Sequence, residues 1–194
     1  MMKNLRQEGF VIGRDRVRRL MKALNLKVKQ KRKYQVTTDS KHRLPVAENV
    51  LNRQFSPQGP NQAWGADITY LWTQQGWIYL AVVIDLNSRR VVGWAMDRRM
   101  TTSLVIRALL KQRGLIGSMS RKGNCWDNAP VERFFSSLKR EWTGDRLYKT
   151  RQAAIADVRE YVAIYYNSMR LHSTLGCRTP MEYEKDLNKV SGFC

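Results

Sequence analysis

Three consecutive runs, "AWGADITYLW", "WIYLAVVID" and "VVGWAM", are dense in aromatic and β-branched residues and are separated by little more than "TQQG" and "NSRR". Runs of this length and composition read as strands, and the turn-forming residues between them read as tight connections. The region is therefore expected to fold as an antiparallel meander. One carboxylate, Asp67, interrupts the first run, which otherwise reads as buried strand. Burying an unpaired carboxylate costs several kcal/mol, so Asp67 must be paired, neutralised or bound to a metal.

The hairpin sets where that carboxylate points. If Thr73 pairs with Trp77, Asp67 faces Val83, and Asp85 becomes a diagonal neighbour on the same face. Asp85 also opens "DLNS", in which an aspartate ordinarily caps backbone amides, and that structural role is the favoured one. After the meander, "TTSLVIRALLKQ" opens with threonines that cap a helix, and "GLIGSMS" is a short strand candidate. "RKGNCWDN" is a polar loop, and Pro130 stands where a helix begins. The helices "VERFFSSLKREW", "TRQAAIADVREYVAIYYNSMRLH" and "TPMEYEKDL" follow. The fold class is α/β.

Charge divides the 194-residue chain. Its formal net charge is +19, which points to a polyanionic partner. Residues 1–62 hold fifteen Lys/Arg against four Asp/Glu, and the density peaks in "KVKQKRK", which contains Lys31, Arg32 and Lys33. Just before it, Val17, Leu20, Met21 and Leu24 recur at helical spacing, with Arg16 and Arg19 on the other face. With the short helix "NLRQEG" this suggests a helix-turn-helix-like unit; a solvated basic helix is the alternative. Residues 34–62, with Pro45, Pro57 and Pro60, read as a linker. No apolar run approaches the roughly 18 residues needed to span a bilayer. Three cysteines without close pairs argue against a disulfide framework or a zinc site, and the expected location is cytoplasmic or nucleoid-associated.

Three blocks, "DITYLWTQQGWIYLAVVIDLNSRRVVGWAM", "SMSRKGNCWDNAPVERFFSSLKREW" and "YYNSMRLHSTLGCRTPMEYE", closely resemble insertion-sequence transposases of the integrase-core type. The nearest group is the insertion sequence 3 family, within which this would be the second-frame protein. The resemblance covers nearly the whole chain, including "LRQEGFVIGRDRVRRLMKALNL". It implies a ribonuclease H-like core (63–194), preceded by a linker (34–62) and the remainder of a helix-turn-helix-like DNA-binding region (1–33). It further implies DNA as partner, with a second copy or an intact relative as a further one. Three acids, Asp, Asp and Glu, would hold two Mg²⁺ ions, with Mn²⁺ as a substitute. Strand transfer needs them, because one metal activates the attacking oxygen and the other stabilises the leaving one. Asp67 matches the first acid and Glu132 the third.

The second acid has no match. In the family it closes a fourth strand, in a stretch like "HSDRGSQY", roughly 35 residues before the glutamate, where it completes the two-metal cage. Here "ALLKQRGLIGSMSRKG" runs on without it, as though about thirty residues were deleted between about 112 and 115. The start is also shorter than the family's. Asp97 has the right spacing to Glu132 but ends the third strand, two strand steps from Asp67. Asp127 reads as a helix cap. With the fourth strand gone, Leu115 to Met119 is expected to pair beside the first strand and cover its edge. Lys139 lies two turns beyond Glu132, where it could meet a phosphate, as could Arg121 and Lys122. Asn124 and Trp126 flank that loop; Trp126 either stacks on a splayed base or packs in the core. His172, in the family's "R-x-H-S" turn, reads as structural. Two functional classes remain: an active transposase, or a catalytically defective remnant that at most binds nucleic acid, which the missing acid favours; modulation of an intact relative is a third, weaker reading.

Overall fold

The computed structural model describes residues 2–26, 51–52, 54–109 and 128–190. The chain divides into two compact units, Met1–Thr38 and Asp39–Cys194. In the first, α1 (Met2–Gln7) stops at Gly9, whose φ of +90° is open to glycine at no steric cost. The second helix, α2 (Arg14–Ala23), buries Val17 and leaves Arg16 and Arg19 exposed. It ends because Asn25 takes a left-handed φ of 52°, which lets Leu26 N–H donate to the Met21 carbonyl at 2.8 Å.

The second unit is built on an antiparallel sheet of β1 (Trp64–Thr73), β2 (Gly76–Asp85) and β3 (Val91–Asp97), in the order β1-β2-β3. The first hairpin is one residue tighter than the sequence suggested. Thr73 pairs with Gly76, whose φ of +98° closes the turn, and Asp67 therefore faces Val82. Because side chains alternate with period two, that single step moves Asp85 to the opposite face from Asp67. Trp64 is its cross-strand partner instead.

The face carrying Asp67 also carries Leu71, Leu80, Val82 and Ile84, and forms the main core. Against it pack Val131 and Phe134 of α4 (Ala129–Ser137), and Val158 of α5 (Arg151–Glu160), with Tyr161 just beyond. On the other face Ala81 and Val83 meet Leu104 and Ala108 of α3 (Thr102–Leu109). The hairpin end of β1 is not the buried strand its composition suggests, for Tyr70 and Trp72 are exposed there with Trp77. Both α4 and α5 run on into wider π-type turns, Leu138–Trp142 and Tyr161–Tyr166.

Caps and side-chain staples fix the rest. Thr150 Oγ1 accepts from Ala153 N–H at 3.1 Å to start α5. Thr179 and Glu182 form a reciprocal capping box at the start of α6 (Pro180–Val190). Buried Asn167 both donates to and accepts from the backbone of Val91, occupying the start of β3 as a neighbouring strand would. The end of the stretch expected as linker is bonded to the core. The Pro57 carbonyl accepts from Asn87, the Phe55 carbonyl from Arg89, and the Ala63 carbonyl from Leu86 N–H. The expected strand at 115–119 lies outside the described residues, as do 27–50.

Candidate functional site

Asp67 sits midway along β1 and its side chain faces the start of α4. What allows the approach is Gly65, two residues earlier on the same face. A Cβ there would stand 2.8 Å from Val131 Cγ2 and 3.2 Å from Leu86 Cδ2. The missing side chain lets the first turn of α4 settle directly against the strand. Val131 is fully buried where they meet, and Pro130, at the N-terminus of α4, suits a position where no amide donor is needed.

Two residues of α4's start then converge on Asp67. Asn128, at the N-cap position, makes no side-chain bond to its own helix; its amide is hydrogen-bonded to Asp67. Glu132, one turn on, lies close enough for the two carboxylates to repel. Burial is the main reason that the Asp67 carboxyl is held above the ordinary 3.8, against the opposing bonds from Ile68 N–H (2.7 Å) and Asn128. Glu132 is raised as well, first by partial burial and then by the charge of Asp67. A half-buried carboxyl that also disfavours ionisation of its neighbour forms a site that a cation would relieve.

The other acids go elsewhere. Asp85 is fully buried, and its carboxylate accepts from the backbone N–H groups of Asn61, Asn87 and Ser88. It holds the β2–β3 turn, as its sequence context suggested. Asp97 pairs with Tyr79 and accepts from Arg99 N–H. It lies two strands from Asp67 and three residues further along, which is about 14 Å at ordinary strand spacings. Among the described residues no three His, Cys, Asp or Glu side chains group to hold a metal. Two carboxylates and one amide oxygen suit a single hard cation that keeps most of its water. Among the described residues they are too few for a two-metal cage.

Of the residues expected to touch DNA, Lys139 stands in the π-type turn after α4, its ammonium 5.0 Å from the centre of the Tyr70 ring. Arg16 and Arg19 are exposed on α2. Lys31, Arg32, Lys33, Arg121, Lys122, Asn124 and Trp126 lie outside the described residues. The backbone of His172 does the structural work expected of it: its N–H donates to the Arg178 carbonyl, and its carbonyl accepts from Leu175 and Cys177. The role of Asn128 was missed in the sequence. Its signal was its place in "DNAPVE", where a good cap residue stands within one turn of an acid.

Comparison with known proteins bears on the fold and the family. Two integrase core domain models match residues 57–131 and 113–180, and an HTH-like domain model matches residues 1–34. The insertion element IS600 uncharacterized 31 kDa protein of Shigella sonnei is 41% identical over 218 residues, covering 96% of this chain and 80% of its own length. Transposase InsF for insertion sequence IS3A of Escherichia coli (strain K12) is 39% identical over 211 residues, covering 93% and 73%. In the first alignment 96% of 194 residues is about 186, so about 32 of the 218 aligned positions have no residue from this chain. These matches place the chain in the insertion sequence 3 family of transposases.

Proposed function

We propose that this chain is a DNA-binding member of the family that has lost strand transfer because its cation site has two acidic arms in place of three. The supporting observation is that, among the described residues, no third acid joins Asp67 and Glu132. The sequence between Asp97 and Glu132 contains one acid, Asp127, five residues before the glutamate. The family's second acid belongs in this interval. The roughly 32 unmatched alignment positions are the size of the stretch that would carry it. Transposases of this type use a divalent metal, and Mg²⁺ or Mn²⁺ at Asp67, Glu132 and Asn128 would supply charge neutralisation to a bound phosphate.

DNA binding does not depend on those acids. It rests on counterion release by a chain of net charge +19, sixty-two residues of which carry +11. Such a protein, nucleoid-associated, would occupy element ends without joining them and so compete with an intact relative. The test is an assay of joining between labelled terminal-repeat DNA and a target duplex with Mg²⁺ or Mn²⁺, run beside a gel-shift measurement. Retarded DNA without joined product is expected. Joining that disappears in Asp67→Asn would show a working third ligand and overturn the proposal.

A further inference from the structure

On the far side of α4 from the acids lies a cavity of about 190 Å³. At 100° per residue, Asn128 and Glu132 point one way, while Pro130, Arg133, Phe134 and Ser137 point the opposite way and line the cavity. Arg89 from the β2–β3 turn, Arg170 and His172 complete its polar wall, and none of the described residues lining it is acidic. Three guanidinium groups thus converge on a space well above the roughly 10–15 Å³ that one water needs. The first turn of α4 adds the positive end of a helix dipole.

Two groups here lack the partners that burial demands. His172 is 8% exposed, and its Nε2 has no hydrogen-bond partner. The Nη1 of Arg89 is likewise buried without one, although its Nη2 donates to the Phe55 carbonyl at 3.0 Å. Buried polar atoms are nearly always satisfied, so two orphans around one basic cavity point to an absent acceptor. Arg170 is already matched by a bidentate pair with Glu141 at 2.7 Å and a bond to Ser137 at 3.0 Å, which fixes its guanidinium in place. Arg133 is exposed at the rim, and Tyr166 forms the apolar floor.

We propose that Arg89, Arg133, Arg170 and His172 form a phosphate-binding pocket that holds a backbone phosphate of bound DNA. Arginine forks present paired donors to phosphate oxygens, and the buried setting makes such charge-assisted bonds strong. A helix with its side chains is about 10–12 Å across, so this phosphate is not the one facing Asp67 and Glu132. It is a second grip that fixes the register of the strand relative to the acids. The assignment rests on the reading of the chain as a DNA-binding protein.

The experiment uses the whole chain and two ligands. Inorganic phosphate is titrated in at constant ionic strength while the ring signals of the two histidines are followed by NMR. The His172 signals should shift and those of His42 should not. Arg133→Gln, at an exposed position, should keep the fold and weaken phosphate binding about tenfold, the loss expected for one hydrogen bond to a charged group. The same variant should flatten the slope of log DNA affinity against log salt by about 0.9, the share of one neutralised phosphate. A His172 ring that ignores phosphate overturns the pocket. Phosphate binding with an unchanged DNA slope in Arg133→Gln overturns the backbone assignment and makes this a free-phosphate site. Failure of the unaltered chain to bind DNA at all would instead refute the DNA-binding reading, while the phosphate titration still reports on the pocket.

Discussion

Replacing Gly65 by alanine tests whether close approach of α4 to β1 builds the acid site. The new methyl would meet Val131 Cγ2 at 2.8 Å, against ordinary carbon separations of about 3.5–4.0 Å. Val131 is fully buried, and a β-branched side chain on a helix has one strongly preferred rotamer, so it cannot swing aside. The helix must retreat by about 1 Å, taking Asn128 and Glu132 with it. Overpacking of this kind costs about 1–3 kcal/mol, of which about 0.4–1 is offset by the stiffer unfolded chain. The net loss of about 1–2 kcal/mol lowers Tm by about 2–8 °C for a domain of this size. Mn²⁺ binding, read by electron paramagnetic resonance, should weaken about tenfold, the usual penalty for misplaced support of a metal ligand. Gly93→Ala is the control: its methyl would fall 2.0 Å from the Ala108 carbonyl oxygen, so it should lower Tm further while acting on the opposite face of the sheet. If Gly65→Ala leaves both Tm and Mn²⁺ affinity unchanged, the approach of helix to strand does not set the site.

Three further outcomes follow from particular residues. Without metal, Asp67→Asn should raise Tm, because it removes a half-buried charge that repels Glu132, and it should abolish any stabilisation by Mn²⁺; a lowered Tm would refute the strain. His172 is held near 4, against an ordinary 6.5, by burial, then by Arg170, Arg89 and Arg133, with Glu141 opposing. Its contribution to stability is therefore complete above pH 6.5 and falls as pH drops towards 4, where about 3 kcal/mol is lost, since the unfolded chain takes up the proton first. Denaturant titrations in chloride buffer should show that loss, and His172→Gln should remove it. Deleting 27–33, "KVKQKRK", should flatten the salt dependence of DNA binding by about 0.9 for each phosphate that is no longer neutralised; an unchanged slope would place the DNA-binding charges elsewhere.

The meander, the helices after it and the two acids that the structure brings together, Asp67 and Glu132, were legible in the sequence because each carries a local signal. Alternation marks strands, Thr150 and Thr179 mark helix starts, and the blocks around Asp67 and Glu132 match the family's motifs. The register of the first hairpin was not legible. Pairing Thr73 with Gly76 or with Trp77 differs by one residue, and the choice depends on whether Gly76 adopts a positive φ. That choice decided the face on which Asp85 falls. The basic cavity was also invisible, since Arg89, Arg133, Arg170 and His172 share no spacing and meet only when the β2–β3 turn, α4 and the chain after α5 pack together. Gly65 reads in sequence as a weak point in a strand, yet it is what admits the helix.

The same packing explains how, on the proposed reading, an internal deletion spares the core while disabling the site. The apolar residues that hold β1 and β2 together face α4 and α5, and both helices come after the interval where the deletion falls. At its hairpin end the outer edge of β1 is met by Tyr148, whose carbonyl accepts from Gln74 N–H at 2.9 Å beside a parallel bridge to Thr73. Burial and part of the edge are thus supplied by segments other than a fourth strand. A metal ligand cannot be supplied in that way. Apolar packing is non-directional, and many side chains serve. A second cation instead needs a carboxylate oxygen at about 2.0–2.1 Å, within reach of Asp67. Asp85 is committed to three backbone amides, and Asp97 is two strands away. On that reading, loss of one strand leaves a core that packs, a basic surface for polyanions, and a pair of acids without their third.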